Sequence, residues 1–313
     1  MERAEIEIAV GWLSCTVPKE KLGEFYNLVN DTPIDLEVGF RGYERSAIIL
    51  GKGRVGWSDS RPEAHIDLSA LALCLLGGDS GTVFKVIKWV FSLGGHLTRI
   101  DISFDDRAGL VTVGEVERAL EDHDVVSHWR KWKGIYSSEV GLKAGYRGET
   151  VYIGSNKSDS MLRVYNKALE SGMPEIHWTR FELQLRDKLS TTIASNLLDA
   201  WIESEQSFIK AAFGVLRGLI EFKDFQSNIN PTRRTPLEWW VKFVGAFDKV
   251  RVIREKTEKS VERTRAWLEK QVAPSLGLIH EVDGSFLWLN KEALKGKRRW
   301  STTHLTMLSQ YNA

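Results

Sequence analysis

Three short segments of the sequence alternate charged and apolar residues with the period of a β-strand. They are RIDISFD at 99–105, RVYNK at 163–167 and RFELQLR at 180–186. Because successive side chains of a strand point to opposite faces, each segment has one apolar face and one charged face. A core on one side only is typical of an antiparallel sheet. If the three strands are neighbours, their charged faces coincide.

The remaining pattern predicts the architecture around these strands. Strand and helix periods are mixed up to about residue 190, so we expect residues 1–190 to form an α+β domain. Its central sheet is predicted to be antiparallel, with helices packed on one face. From there the apolar spacing is almost entirely helical, including the segment SFIKAAFGVLRGLIEF. Residues 191–313 are therefore predicted to form a mainly helical C-terminal region.

Composition limits the classes of function. The 313 residues include 43 Lys plus Arg and 42 Asp plus Glu, a net charge of +1. A uniformly basic nucleic-acid coat is therefore excluded, and any nucleic-acid contact requires a local basic patch. The sequence has no GxxxxGK[ST] motif, which argues against ATPase or helicase activity. Cys15 and Cys74 are expected to be free thiols in a reducing cytoplasm, and no segment has the length of a membrane span.

The charged strand faces carry groups that suit phosphoryl transfer. Asp101, Asp105 and Glu182 would present carboxylate oxygens, which Mg²⁺ or Mn²⁺ prefers. Tyr165 shares a face with Arg163 and Lys167, and neighbouring cations favour ionisation of a phenol. A phenolate beside a divalent metal can attack a phosphodiester. The alternative is that each charged face is simply solvated, and the pattern alone does not decide between the two.

Three blocks resemble the Rep_trans family of rolling-circle replication initiators of plasmids and filamentous phages, to which relaxases of integrative elements are related. The blocks are TRIDISFDD (98–106), GETVYIGSNKSDSMLRVYNKA (148–168) and WTRFELQLRDK (178–188). The resemblance implies a metal-dependent, site-specific DNA endonuclease and strand transferase. Such a protein nicks and rejoins origin DNA through a covalent 5′-phosphotyrosine intermediate.

The resemblance also implies roles for individual residues. Tyr165, in the R-x-Y-x-K block, matches the family's nucleophile, with Arg163 and Lys167 as phosphate-binding groups. Asp101 and Glu182 match the acidic residues that hold Mg²⁺ or Mn²⁺, and Asp105 is a further candidate ligand. No His-x-His pair occurs among the 7 histidines, so the two-histidine metal site of the other large rolling-circle class is not expected.

The hairpin around SNKSD leaves two points open. Tyr152 competes with Tyr165 as the nucleophile, because the hairpin would bring it close; its other role is to stack on DNA. Ser155 and Lys157 are expected to hold a backbone phosphate at the turn, although an ordinary hairpin loop is the alternative. Asn156 stands where many family members have arginine, which puts phosphate affinity at this turn in doubt.

Basic side chains are expected to make further DNA contacts. The stretches SHWRKWKG (127–134) and KGKRRW (295–300) interleave cations with tryptophan, so that cations neutralise phosphate while a ring stacks on a base. Each stretch could equally be a solvated loop. With the strand arginines, the expected DNA contacts are Arg99, Arg130, Lys131, Lys133, Arg180, Arg298 and Arg299.

The expected function is initiation of rolling-circle replication of a phage or plasmid. Its partners would be DNA, a host helicase and the replication machinery, with a homodimer as one assembly, no membrane and a cytoplasmic location. The helical region 191–313 would serve DNA recognition or dimerisation. A conjugative relaxase with the same chemistry and a catalytically silent origin-binding protein are the alternatives.

Overall fold

The computed structural model describes residues 6–77, 80–137, 148–245, 261, 264–265, 268–298 and 300, together with residues 304, 308, 309 and 311. Residue contacts divide the chain into two compact units, Met1–Val252 and Ile253–Ala313. The predicted boundary at residue 190 therefore differs from this division. It falls inside the first unit because the helices that follow it pack against the sheet.

The described part of the first unit contains a ten-stranded sheet. Its strands in chain order are β1 (Ile6–Pro18), β2 (Ile34–Leu36), β3 (Arg45–Ile49), β4 (Gly53–Trp57), β5 (Glu63–Leu68), β6 (His96–Asp106), β8 (Trp132–Ser137), β9 (Gly148–Gly154), β10 (Ser160–Asn166) and β11 (Thr179–Arg186). In space they follow the order β2-β3-β4-β5-β1-β6-β11-β10-β9-β8, and neighbouring strands are antiparallel. Two further strands, β7 (Val125–Ser127) and β12 (Ile220–Phe222), pair with each other.

Helices of the first unit pack against this sheet. The described part of the second unit is mostly helical. The helices of the first unit are α1 (Leu22–Leu28), α2 (Ala70–Leu75), α3 (Ser80–Ser92), α4 (Val113–Glu121), α5 (Lys167–Glu170), α6 (Asp187–Glu203), α7 (Glu205–Leu219) and α8 (Glu238–Val244), with 3₁₀ turns at Lys19–Lys21 and Pro231–Arg233. The second unit has a π-helical turn, Leu268–Val272, then α9 (Ala273–Asp283) and α10 (Leu287–Lys297). The predicted α+β class with an antiparallel sheet and a helical C-terminus is confirmed. None of the described helices has the length and apolarity needed to cross a membrane.

Aromatic side chains pack the apolar face of the central strands against helices. Phe104 of β6 lies with its ring centre 5.1 Å from that of Phe213 on α7. Phe181 of β11 stacks on Phe243 of α8 at 4.5 Å. Such pairs contribute about 0.5–1.5 kcal/mol beyond the area they bury. The apolar faces of the alternating strands are thereby buried, and their charged faces point away from this core.

Local sequence signals explain where several elements begin and end. Thr112 and Glu115 form a capping box that starts α4. One expectation was wrong: the helical pattern was predicted to run through the segment LIEF. Instead α7 ends at Leu219, because Ile220–Phe222 pairs with β7.

Candidate active site on the polar face of the sheet

The charged faces of the three predicted strands lie on the same side of the sheet. In the antiparallel register, Glu182 on β11 is opposite Arg163 on β10, and Arg180 is opposite Tyr165. The neighbouring strand β9 adds Tyr152, which is opposite Arg163. Because residues opposite each other in an antiparallel pair share a face, these side chains form one polar surface.

A cavity of about 260 Å³ opens on this polar surface. Eight of the predicted site residues line it: Arg99, Asp101, Tyr152, Arg163, Tyr165, Lys167, Arg180 and Glu182. Sites that bind uncharged small molecules are mostly apolar. These charged walls suit a charged ligand instead.

Tyr165 is held against a carboxylate in this cavity. Its side chain is only 5% exposed, and its hydroxyl donates a hydrogen bond to Glu182 Oε2 at 3.1 Å. The guanidinium of Arg163 lies 4.5 Å from the centre of the phenol ring. Burial, and then the charge of Glu182, raises the pKa of Tyr165 above its ordinary value, although Arg180 and Arg163 oppose the change. Arg163 thus favours ionisation of the phenol, as expected, but burial and the nearby carboxylate outweigh the cations in this arrangement.

Glu182 also anchors Arg163. Both carboxylate oxygens accept hydrogen bonds from Arg163 Nη2 at 2.8 Å. Among the atoms described, the buried Nε of Arg163 has no hydrogen-bond partner. A bound phosphate would compete with Glu182 for this guanidinium, since phosphate oxygens are strong acceptors for arginine.

Asp101 is likewise paired with an arginine. Its carboxylate is 2% exposed and accepts a hydrogen bond from Arg99 Nε at 2.8 Å. Gln184 Nε2 donates to the same carboxylate at 3.4 Å. Burial raises the pKa of Asp101 above its usual range; Arg99 opposes this, while the charge of Glu182 adds to it. The effect of Glu182 indicates that the two carboxylates are close enough to interact.

Asp105 is engaged away from the cavity. Arg180 donates to its two carboxylate oxygens at 2.6 and 2.7 Å, and Trp178 Nε1 donates at 2.7 Å. Asp105 is not among the residues that line the cavity. Its contacts are therefore those of a residue that positions Arg180.

The predicted cluster of three carboxylate ligands is not formed. Across the described ranges, no group of three or more His, Cys, Asp or Glu side chains could hold a metal ion together. Asp101 and Glu182 do line the same cavity. Mg²⁺ is commonly bound through one or two carboxylates, with waters completing its coordination. The donor set therefore fits a divalent ion held by Asp101 and Glu182, but not one that includes Asp105.

Lys167 lies at the margin of the cavity. It forms an ion pair with Glu170, and its Nζ is 6.0 Å from the centre of the Tyr165 ring. Its charge is therefore directed mainly at Glu170 in this structure. A phosphate entering the cavity would be close enough to compete for it.

Asp106 and His177 form a separate structural contact. Asp106 is fully buried on the face opposite Asp105, and it accepts hydrogen bonds from the amides of Ala108 at 3.0 Å and Val111 at 2.9 Å. His177 Nε2 lies 3.2 Å from the same carboxylate. These groups stabilise the loop that follows β6.

The hairpin turn between β9 and β10 uses its own backbone amides. The amide of Lys157 donates to Ser155 Oγ at 3.2 Å, and the amide of Ser158 donates to the Ser155 carbonyl at 3.0 Å. Arg186 donates to the carbonyl of Asn156. Two amides of the turn, those of Lys157 and Ser158, are thus used within the turn, while the side chain of Lys157 is exposed, so the phosphate contact at Ser155 and Lys157 stays a prediction.

The two basic stretches differ in part from the expectation that their cations and tryptophan rings all contact DNA. Trp129 is 9% exposed and its indole donates to the Ser160 carbonyl at 3.0 Å, so it is a core residue and not a stacking platform. Trp132 is 37% exposed. The basic side chains Arg130, Lys131 and Lys133 are exposed beside it. In the second stretch Arg298 is exposed, whereas Arg299 lies outside the described residues.

Sequence reasoning missed Trp12. A register shift in β1 between Val10 and Trp12 turns this side chain to the polar face, opposite Asp101. It lines the cavity together with Arg99. The shift is a β-bulge, which a regular two-residue period does not reveal. Gln184, by contrast, was visible in the alternation of RFELQLR.

The sequence of this protein is similar to that of a known protein family. The Rep_trans family, described as replication initiation factors, matches residues 95–295. The chain belongs to this family. The matched range includes β6, β9, β10 and β11, which contribute most of the residues that line the cavity. Strands β1 to β5 precede the matched range.

Two individual proteins are similar to this Rep_trans member. The putative DNA relaxase NicK of Bacillus subtilis (strain 168) is 23% identical over 229 residues, which cover 70% of this chain and 63% of the relative. The chain thus spans about 63% of the length of that relative. A rolling circle replication initiator protein from Geobacillus stearothermophilus is 22% identical, with a TM-score of 0.66 over 80% of this chain and 100% of the other. The likeness to the latter supports the fold.

Proposed function

We propose that this protein nicks and rejoins one strand of origin DNA through a covalent bond between Tyr165 and a 5′-phosphate, and so starts rolling-circle replication of a phage or plasmid. The observation that carries the proposal is the meeting of the Tyr165 hydroxyl, the Glu182 carboxylate and the Arg163 guanidinium in one cavity. A nucleophile, a proton acceptor and a phosphate-binding group are the parts that this reaction needs.

The reaction exchanges one phosphodiester for another. Tyr165 Oη forms a bond to phosphorus while the bond from phosphorus to the 3′ oxygen breaks. Glu182, already hydrogen-bonded to the phenol, accepts its proton, and the departing 3′ oxygen takes a proton from solvent water to become a hydroxyl. Arg163 transfers its hydrogen bonds from Glu182 to the phosphate oxygens, where negative charge grows. The reverse of these steps rejoins the strand.

A divalent ion, Mg²⁺ or Mn²⁺, fits this site. When bound, it polarises the phosphate and orients it for in-line attack. We propose Asp101 and Glu182 as its protein ligands, because both line the cavity. Asp105 instead holds Arg180, the residue opposite Tyr165 in the sheet.

The test is a search for the covalent intermediate. The protein is incubated with Mg²⁺ or Mn²⁺ and end-labelled single strands that tile the origin of its host replicon. We expect a labelled protein band that survives denaturation, is absent from Tyr165→Phe and persists in Tyr152→Phe. A band lost only in Tyr152→Phe would assign the nucleophile to the other tyrosine. Strand binding without a band under either metal would indicate a silent origin-binding protein.

A second candidate function is that of a conjugative relaxase. It is favoured by the similarity to a protein described as a putative DNA relaxase. The chemistry would be the same, and the nicked site would be an origin of transfer. Mapping the nick on the host element by primer extension separates the two functions.

We also propose that a partner helicase unwinds the nicked DNA, because the sequence has no GxxxxGK[ST] motif. Adding a candidate host helicase to nicked origin plasmid should give unwinding only in the presence of this protein. Equal unwinding with and without the protein would contradict this partnership.

A further inference from the structure

The polar face continues beyond the candidate active site towards the N-terminal strands. Arginines from three separate elements meet there. Arg99 on β6 is directly opposite Arg186 on β11, and both carry their side chains on the polar face. Arg41 comes from the turn that precedes β3. We call Arg41, Arg99 and Arg186 the arginine surface.

The register places the three arginines side by side: Ser14 is opposite both Arg99 and Asp67, and Asp67 is the ion-pair partner of Arg41. Burial, and then the positive charge of Arg99, lowers the pKa of Arg186, and Arg41 adds to the effect. Asp101 and Asp187 act in the opposite direction. Arg186 donates its hydrogen bonds to Gln184 and to backbone carbonyls, which are uncharged acceptors. Arg41 and Arg99, by contrast, are ion-paired with Asp67 and Asp101, and a phosphate would compete with these carboxylates for the two guanidiniums.

A strained turn holds Arg41 in this position. Arg41 and Gly42 have φ values of 51° and 81°, and Phe40 pairs with Tyr43 on either side of them. Positive φ at both central residues is typical of a type I′ turn, and it is uncommon for an arginine.

A buried aspartate anchors Arg41 over the sheet. Arg41 Nη2 lies 2.6 Å from Asp67 Oδ2, and the Asp67 side chain is 4% exposed. Ser14 Oγ donates to the other oxygen of Asp67 at 3.2 Å. The Arg41 side chain itself is 49% exposed, so this anchored guanidinium remains accessible to a ligand.

Trp12 places an aromatic ring beneath the same surface. The Arg99 guanidinium lies 4.3 Å from the centre of the Trp12 ring, and the Trp12 indole donates to Ser14 Oγ at 3.0 Å. Trp12 and Arg99 both line the cavity that contains Tyr165. The arginine surface and the candidate active site are therefore parts of one continuous polar face. Cations interleaved with an aromatic ring are the usual composition of a groove for single-stranded nucleic acid.

We propose that the arginine surface binds phosphates of the same single DNA strand that Tyr165 cleaves, a few nucleotides from the cleaved bond. Along β11, the four residue steps from Glu182 to Arg186 span about 14 Å at about 3.4 Å per step. A DNA strand carries one charge per about 3.4 Å in the B form, and fewer when extended. The position relative to the cleaved bond rests on the proposed function, whereas the binding itself does not.

Two variants with opposite expected effects test this surface. Arg41→Gln removes one guanidinium, and Asp67→Asn keeps an acceptor for Ser14 while releasing Arg41 from its counter-charge. The matched controls are Arg45→Gln and Asp59→Asn. Arg45 and Asp59 form an exposed ion pair at 2.7 Å, and the alternation of β3 places Arg45 on the other face of the sheet. Each control changes the net charge by the same amount as its test variant.

The measurement is the anisotropy of a fluorescein-labelled oligo(dT) strand, titrated with the full-length protein at several NaCl concentrations. Arg41→Gln should weaken binding and reduce the slope of log affinity against log salt by roughly 0.7 for each lost phosphate contact. Asp67→Asn should strengthen binding, and both controls should behave like the wild type. Opposite shifts in the two test variants cannot arise from misfolding, because misfolding would weaken both.

The outcomes separate this inference from the proposed function. If Arg41→Gln and Asp67→Asn bind like their controls while the wild type still forms the Tyr165 adduct, the arginine surface is wrong and the function stands. If the two variants shift as expected but no origin strand yields an adduct, the function is wrong and the surface stands.

Discussion

The hydroxyl of Tyr165 donates to Glu182 Oε2 at 3.1 Å, so the candidate nucleophile is already hydrogen-bonded to a carboxylate that can take its proton. Burial, and then the charge of the same carboxylate, raises the pKa of the phenol, and this carboxylate also holds Arg163. The resting site is therefore a closed network in which tyrosine is protonated. We infer that a phosphate and a cation, on entering, would redistribute these contacts.

Glu182→Gln should separate acidity from reactivity. Removing the carboxylate charge should lower the pKa of Tyr165, because that charge now raises it. The rate of adduct formation should nevertheless fall by about 10²-fold or more, since the proton acceptor and a proposed metal ligand are both lost. Tyrosine ¹³Cζ shifts, assigned with Tyr165→Phe, report the pKa, and single-turnover adduct assays report the rate. An unchanged rate would remove Glu182 from the mechanism.

Asp101 and Asp105 should differ in metal binding. Asp101→Asn should weaken Mn²⁺ binding by about tenfold or more, because it removes a proposed ligand from the cavity. Asp105→Asn should leave Mn²⁺ affinity near that of the wild type, because Asp105 is bound to Trp178 and Arg180. Electron paramagnetic resonance of free Mn²⁺ measures both without any need for activity. Equal losses in the two variants would restore the three-carboxylate site.

Asp106→Ala should damage stability. The buried carboxylate satisfies two backbone amides, and leaving buried donors unpaired costs about 1–3 kcal/mol for each group. Urea unfolding should show a large loss for Asp106→Ala and a smaller one for Asp106→Asn, which keeps one acceptor. The folded fraction of either variant should still form the adduct. A stable but inactive Asp106→Ala would point to a direct catalytic role.

His65 should make stability depend on pH. Burial, and then the charge of Arg41, lowers the pKa of His65 from 6.5 to about 4. The unfolded chain then binds the proton more readily, so this contribution is fully present above pH 6.5 and is lost as the pH falls towards 4. From about pH 7 to about pH 5 the loss is about 2 kcal/mol. His65→Phe should lose less stability over that interval in urea unfolding; an identical pH dependence would contradict the assignment.

The two-residue period predicted which site residues share a face. Alternation placed Arg163 and Tyr165 on one face, and added Glu182 on the condition that the strands are neighbours, which the structure meets. The family resemblance separated Tyr165 from Tyr152 as the expected nucleophile. The pairing of Asp105 with Arg180 could not be predicted. It depends on the register between β6 and β11, which are distant in sequence, and on which neighbouring cation pairs with each carboxylate.

Two further features could not be predicted from the sequence, for the same physical reason. Trp12 reaches the polar face through a bulge in β1, and Trp129 is buried by packing against the β9–β10 hairpin, where Gly154 lies against its ring. Both outcomes depend on tertiary contacts. A basic stretch with tryptophan therefore has the residue types of a DNA-binding segment, but the sequence does not show which of its tryptophan rings are exposed.

The most direct measurement of the central claim is mass spectrometry of the protein after reaction with an origin strand and Mn²⁺, followed by nuclease trimming and proteolysis. The proposed mechanism predicts a nucleotide joined through its 5′-phosphate to the peptide containing Tyr165, with the peptide containing Tyr152 unmodified. A nucleotide on Tyr152 would contradict it, and so would cleaved DNA with neither tyrosine modified.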